Sequence, residues 1–315
     1  MNLSKFVSVV LLVGLGLVAL ITWFILMTSR TPTRRWLSTG LKAVDLFTPI
    51  AQGSDVLITG DAKSGATPLG TEIAYRYVHH PNEKLRVHYF HDESLSDIEI
   101  RLAELTEVLP ALTEKHTVAA VNEENLSSAV SSSDGQHVVF FVASKSERFI
   151  NLFRESLRRF RDNEALSKQL TAIVVTDSID YADVETKIFS SQRIAAQGIY
   201  PAIDLGQSRS VSNVGSQFSI KQQKTINGAK QTIIEVVSAL HDGAVQDPEF
   251  EFNRDINKRP ALQALCYLSQ SYFVGELYTG KKGQRLPMNT AVDKLSALLA
   301  GESRDTIPST LLYRE

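Results

Sequence analysis

Four short apolar runs, Val56–Thr59, Leu85–Phe90, Val138–Val142 and Thr171–Val175, are rich in β-branched and aromatic residues. Strands that read as near-continuous apolar runs are buried on both faces, which requires a parallel sheet covered by helices. Helical periodicity at Asp97–Val108 and Glu147–Phe160 separates them. Strands alternating with helices imply right-handed βαβ units in a doubly wound sheet. Past about Ser210 the strand signals stop, and Lys224–Leu240, Arg259–Tyr278 and Thr290–Leu299 read as helices. His241–Asn257, with Gly, Pro and acidic residues, reads as a connection, and Ser127–Gly135 (SSAVSSSDG) as a surface loop. The expected fold is therefore α/β with a mostly parallel sheet, followed by a C-terminal α-helical domain.

The amino-terminal stretch is of another kind. No charged residue occurs from Phe6 to Thr28, and nearly every side chain there is apolar. At about 1.5 Å per residue such a helix spans the roughly 30 Å hydrocarbon core of a bilayer. A cleaved signal peptide would have a shorter apolar region ending at a small-residue site. Here the run ends in Trp23, Phe24 and Met27 with no A-x-A. The expectation is a single-pass transmembrane helix over residues 6–28, with a basic linker at 29–36. Arg30, Arg34 and Arg35 follow it, against Lys5 before it. The positive-inside rule then puts the body on the cytoplasmic side of the inner membrane, or in the matrix for a mitochondrial protein. Gly14 and Gly16 do not form G-x-x-x-G, so no helix-dimer signal is present.

Composition excludes several classes. A net charge of −2 with 43% hydrophobic and 22% charged residues is unlike a disordered chain, a collagen repeat or a disulfide scaffold. It also excludes a strongly basic nucleic-acid module, which needs excess positive charge to displace counterions. The single cysteine, Cys266, lies in an apolar stretch and reads as a small buried hydrophobe in a reducing compartment.

The first apolar run leads into Gly60-Asp-Ala-Lys63-Ser-Gly65-Ala66-Thr67. This matches the strand–loop–helix setting and both glycines of G-x-x-x-x-G-K-[ST], with threonine at the end and alanine in the lysine position. Backbone amides at a helix N-terminus can face an anion without a lysine. Losing one charge-assisted hydrogen bond costs about 1.5–3 kcal/mol, or one to two decades of affinity. On these eight residues alone, a phosphate loop and a turn without nucleotide stand equal.

Four further segments bear on that choice. Gly40-Leu-Lys-Ala-Val-Asp45 through Gly53 resembles the segment before the phosphate loop in rotary ATP synthase α and β subunits. Gly198-Ile-Tyr-Pro-Ala-Ile-Asp204 resembles G-[IR]-[YR]-P-A-[VI]-[DN] of that family. Leu268-Ser-Gln-Ser-Tyr272 through Gly280 is similar to the β-subunit form L-S-Q-P-F-x-V-A-E-[VL]-F-T-G, and Ile307–Tyr313 to its ending D-L-P-E-x-A-F-Y. The matches are collinear from about Leu37 to the end of the sequence. The resemblance implies a RecA-like nucleotide-binding domain over 37–222 and a C-terminal helical domain over 223–315. The membrane segment stands where the family has its N-terminal β-barrel.

By the same resemblance, Gly60, Lys63, Gly65, Thr67, Tyr200, Tyr272 and Tyr278 are the candidate nucleotide-binding residues. The three tyrosines fall at aromatic positions that flank adenine in β subunits, and packing between two domains is their other reading. The departures concern chemistry. The strand-end aspartate that organises magnesium has Val142 or Ala143 in its place, with Ser144 beside them. The family's G-E-R-T-R-E corresponds loosely to Asp92–Asp97, which keeps Glu93 as a residual catalytic candidate but neither arginine. The Gly/Pro-rich rotor-facing loop has no counterpart between Phe149 and Thr171, and His241–Glu251 replaces the acidic D-E-L-S-E-E-D loop. Asn213 replaces the arginine of S-V-S-R-V-G, with Arg209 on the other side of the segment.

These losses together point to a catalytically inactive, membrane-tethered β-like subunit. It would have a structural or regulatory role among homologous subunits and hold ATP or ADP weakly, without an organised magnesium. An active or slow ATPase using Lys63 and Glu93, and a free-standing anchored nucleotide sensor, remain the alternatives. His88 and His91, at i, i+3 on a strand, read as facing opposite sides rather than as metal ligands. Arg154, Arg158, Arg159 and Arg161, interleaved with Glu155 and Asp162, read as a solvated helix face.

Overall fold

The computed structural model describes residues 34–78, 85–91, 114–116, 123–133, 136–176, 183–196, 201–211, 218–239, 260, 264, 267–268 and 288–301. The expected transmembrane segment 6–28, the helix at Asp97–Val108, the connection at His241–Asn257 and most of Arg259–Tyr278 lie outside them. Among the described residues no helix is long and apolar enough to cross a membrane.

All four apolar runs form strands: β1 (Asp55–Gly60), β2 (Leu85–His91), β4 (His137–Ala143) and β5 (Leu170–Val175). Three shorter strands join them, β3 (Glu114–His116), β6 (Thr186–Ser190) and β7 (Arg209–Ser210). The sheet runs β3-β2-β4-β5-β1-β6-β7, parallel throughout except for β7, which pairs antiparallel with β6. Register is continuous across the centre: Ile58 faces Val175 on one side and Ile188 on the other. The molecule is thus a mixed α/β protein on a mostly parallel sheet.

Alternation within each strand sorts side chains to two cores. Val56, Ile58, Val139, Phe141, Ile173 and Val175 enter one apolar cluster. It is covered by α1 (Lys42–Phe47), α2 (Ala66–Val78), α7 (Ile220–Ala239) and α8 (Met288–Leu299). Leu57, Val138, Phe140, Val142 and Val174 enter the other, against α3 (Glu123–Ser131) and α4 (Glu147–Arg161). On α4, Phe149, Ile150, Phe153, Leu157 and Phe160 make an i, i+3/i+4 stripe, and the Ser146 hydroxyl caps its start by accepting from the Phe149 amide. His88, facing the second core, packs edge-on against Phe140 with ring centroids 5.5 Å apart. Among the described residues no group of His, Cys, Asp and Glu is placed to hold a metal ion.

Three sequence expectations need correction. The serine-rich stretch from Ser127 is not a surface loop as far as Ser131: it is the body of α3. Leu126 and Val130, one helical turn apart, are buried in the second core, and that burial outweighs the weak helix propensity of serine. Helix α7 starts at Ile220 rather than Lys224. Ser219 and Gln222 form a capping box: Gln222 Oε1 accepts from the Ser219 amide, and Ser219 Oγ accepts from the Gln222 amide. The α4 arginines are not all solvated. Arg154 pairs with Asp183 and Arg159 with Glu155, while Arg161 donates to Asp55 at 2.6 Å and to the carbonyls of Leu170 and of Ser167, the last residue of the short helix α5 (Glu164–Ser167).

Candidate functional site

The interior strand β1 ends at Gly60, and α2 begins at Ala66; the five residues between them form a tight loop. Gly60 has no alternative here, because a Cβ on it would stand 2.1 Å from the Ser190 carbonyl oxygen. The Asp61 amide donates to that same carbonyl at 3.0 Å, and the Ser64 amide closes a turn onto the Asp61 carbonyl at 3.1 Å. Lys63 at φ +61° and Gly65 at φ +90° take the left-handed conformations that turn the chain into the helix. The Leu69 amide donates to the Gly65 carbonyl. The amides that open the helix have no acceptor within it, and Pro68 contributes none. A loop with this shape at a helix N-terminus presents donors to an anion.

The loop is fastened to β6 and the helix after it. Ser190 Oγ donates to the Ser64 carbonyl at 2.8 Å, and Asp61 Oδ2 accepts from the Gln192 amide at 2.9 Å, at the start of α6 (Gln192–Ala196). The first turns of α2 are pressed onto the sheet: a Cβ on Gly70 would meet Val175 Cγ2 at 2.5 Å and the Phe141 ring at 3.0 Å. Ala66, at the lysine position, is buried in the first core. Thr67 is half-buried and Lys63 exposed. The ends of the flanking strands carry hydroxyls. Ser144, after β4, accepts from the Ser146 amide at 2.9 Å, and the Thr176 amide after β5 donates to the Ile58 carbonyl. Both side chains are buried.

Of the other sequence motifs, one lies beside the strand that fastens the loop and another meets the far end of α2. The stretch after Tyr200 lies beside β6: the Ser191 amide donates to the Ala202 carbonyl at 2.7 Å, and the Asp204 amide to the Phe189 carbonyl at 2.9 Å. The Gly40–Asp45 segment meets the far end of α2, where Arg76, ion-paired at 2.6 Å with Glu72, donates to the Gly40 carbonyl. Asp45 holds the turn before α1, accepting from Ser38 Oγ, Thr39 Oγ1 and the amides of Thr39 and Gly40 at 2.8–2.9 Å. Burial pushes its carboxyl above the usual range, while those donors pull the other way. Lys42 reaches the chain just before the Leu268 motif: its Nζ donates to the Tyr267 carbonyl at 2.6 Å and lies 3.6 Å above the Tyr267 ring. The Gly40–Asp45 segment thus joins the far end of α2 to the chain at Tyr267.

Of the predicted site residues, Gly60, Lys63, Gly65 and Thr67 share this one loop. Tyr200, Tyr272, Tyr278 and Glu93 lie outside the described residues. Arg209 is exposed on β7, and Asn213 is outside. Sequence reading missed Ser190 and Asp61, whose roles depend on contacts across more than a hundred residues. It also missed the buried Ser64 hydroxyl, whose polar character at a loop position was the available signal. A cavity of about 200 Å³ lies elsewhere, between Asp204–Gln207 and the Ile233–Ser238 stretch of α7, and no loop residue lines it.

No family model matches the chain. It is similar to ATP synthase subunit beta 2 from two strains of Cereibacter sphaeroides, at 30% and 29% identity over 172 residues. The matched region is 52% of this chain and 35% of each relative, so the chain spans about a third of the length of the curated relatives it matches. The likeness is distant and points to an ATP synthase β-like family.

Proposed function

We propose that this chain is a membrane-tethered, catalytically inactive ATP synthase β-like subunit that binds adenine nucleotide weakly and serves a structural or regulatory role beside homologous subunits. The observation that carries the reading is the Gly60–Thr67 loop at the carboxyl end of an interior parallel strand, the edge at which α/β sheets bind ligands. A RecA-like core is compatible with the strand order, and the distant β-subunit similarity supports the same choice. Inactivity rests on two residues. Ala66 supplies no cation to a phosphate, and Ser144 supplies a hydroxyl at the end of β4 where phosphoryl transfer needs a metal-holding carboxylate.

Tethering rests on the uncharged stretch 6–28, with Arg30, Arg34 and Arg35 favouring a cytoplasmic body. Nucleotide titration and phosphate release on the detergent-solubilised chain test the core reading. Micromolar to millimolar ADP binding without turnover is the expected result, and turnover at an ordinary enzymatic rate, lost in Glu93→Gln, would replace it with an ATPase. Carbonate washing should leave the chain in the membrane pellet, and deletion of residues 1–28 should release it. Crosslinking in native membranes should capture a homologous subunit; a lone monomer would favour a free-standing sensor.

A further inference from the structure

The chain enters its α/β body along one edge of the sheet. The Gln52 amide donates to the Arg35 carbonyl and the Leu37 amide to the Ile50 carbonyl, both at 2.8 Å, and Trp36 bridges Ala51 antiparallel. Leu37 is fully buried, and the Tyr77 hydroxyl donates to its carbonyl at 3.2 Å. Just upstream, Arg34 donates to the Glu185 carboxylate at 2.7 Å and to the Gly53 carbonyl at 3.4 Å. Gly53 and Glu185 stand immediately before the parallel strands β1 and β6. The entry is therefore fastened to the amino edge of the sheet. The Gly60–Thr67 loop leaves the carboxyl edge, about 20 Å away at the ordinary rise of a strand.

Five residues, 29–33, separate the uncharged stretch 6–28 from Arg34. In any conformation they bridge at most about 20 Å, and the headgroup layer takes up about 5–7 Å of that. The charges at this edge suit such closeness. Arg34, Arg35 and Lys168 are exposed, and the Lys168 backbone lies against Gly53. The acids Asp55 and Glu185 are held by Arg161 and Arg34, Asp162 is exposed, and with Arg30 the sum stays basic. Cations this near a bilayer are attracted to anionic lipid within a Debye length.

We infer that the amino edge of the sheet is the surface this protein lays against anionic lipid headgroups, with the Gly60–Thr67 loop on the side away from the bilayer. The inference rests on the membrane-tether reading above and adds which face the tether turns to the lipid. A soluble ligand then reaches the loop from the aqueous side, while the basic edge is covered by headgroups.

The native full-length chain would be reconstituted into phosphatidylcholine–phosphatidylglycerol vesicles carrying a lipid with a photoactivatable headgroup. After flotation and irradiation, labelled peptides are mapped by mass spectrometry. Peptides holding Arg34–Arg35 and Lys168 should be labelled about fivefold or more above the peptide holding Asp61–Lys63. Without phosphatidylglycerol that ratio should fall about twofold or more. Equal labelling of the two edges, or stronger labelling of the loop, overturns the orientation, and a ratio indifferent to phosphatidylglycerol overturns the anionic headgroup contact. A chain that does not float with the vesicles removes the tether reading itself, a result distinct from a floated chain labelled on the wrong edge.

Discussion

The Arg161 guanidinium lies 2.6 Å from the Asp55 carboxylate and so joins the last residue of α4 to the first residue of the strand that carries the loop. Arg161 also donates to the carbonyls of Ser167 and Leu170 at 2.5 and 2.7 Å, which fixes the turn that feeds β5. Its side chain is only 18% exposed, so removing it leaves two carbonyls and a carboxylate short of donors. Arg161→Met, which keeps most of the apolar stem, should destabilise the fold by about 1–3 kcal/mol in urea unfolding. A change within about 0.3 kcal/mol would place this arginine with the surface pairs that contribute nothing measurable.

Acid should weaken the protein through His137. Burial, followed by the nearby charges of Arg161 and Arg35, lowers its pKa from 6.5 to about 4. The Thr171 hydroxyl, 2.8 Å from Nε2, accepts from the Gly53 amide and can donate to an unprotonated ring. The folded state then binds fewer protons than the unfolded chain between those two values. Its contribution is present in full above about pH 6.5 and is lost as the pH falls toward about 4, a ceiling of roughly 3 kcal/mol. Unfolding free energies of the native chain and His137→Gln, measured from pH 7 to 4.5, should diverge in slope. Parallel profiles would remove His137 from the acid response.

Gly60→Ala should damage the loop without touching any ligand-facing side chain. The added Cβ would fall 2.1 Å from the Ser190 carbonyl oxygen, a backbone atom that cannot swing aside. Either β6 is pushed from β1 or the loop is rebuilt, at a cost of about 2–4 kcal/mol. Thermal melting and ADP titration should both report it. A variant with native stability and native affinity would mean the close approach is absent in solution.

Ala66→Lys puts a cation at the family's lysine position, on a stem that leaves from the first core, so thermal melting must accompany the titration. A charge-assisted contact to phosphate is worth about 1.5–3 kcal/mol, so ADP binding should tighten about tenfold or more. Hydrolysis should stay negligible, because Ser144 still ends β4 without a carboxylate. Titration and phosphate release separate the two effects. Unchanged affinity in a variant of native melting temperature would argue that no phosphate enters the loop, and rapid turnover would show that the metal is organised from elsewhere.

The centre of the sheet was readable because β1, β4 and β5 are buried nearly throughout and announce it by continuous apolar runs. β6 hid for the opposite reason. Its Thr186-Lys-Ile-Phe-Ser190 pattern alternates between buried and half-buried positions and includes a lysine lying over Phe189. The two-residue β7 offers too short a pattern to register. Helix α3 was disguised by serines whose propensity is overruled by two buried aliphatic residues. The loop was legible as a motif, but its fastening was not. Nothing near Gly60 in sequence signals that Ser190 and Gln192 will meet it.

That fastening has a consequence for synthesis. The motif Gly60–Thr67 leaves the ribosome early, yet the carbonyl and hydroxyl of Ser190 and the amide of Gln192 that shape it arrive more than a hundred residues later. Pairing of such distant segments must wait for the intervening strands and carries the entropic cost of closing a long chain. A nascent chain stalled before Thr186 would hold every glycine of the loop and lack the contacts that fasten it. The proposed nucleotide site would therefore be complete only once β6 has closed against β1.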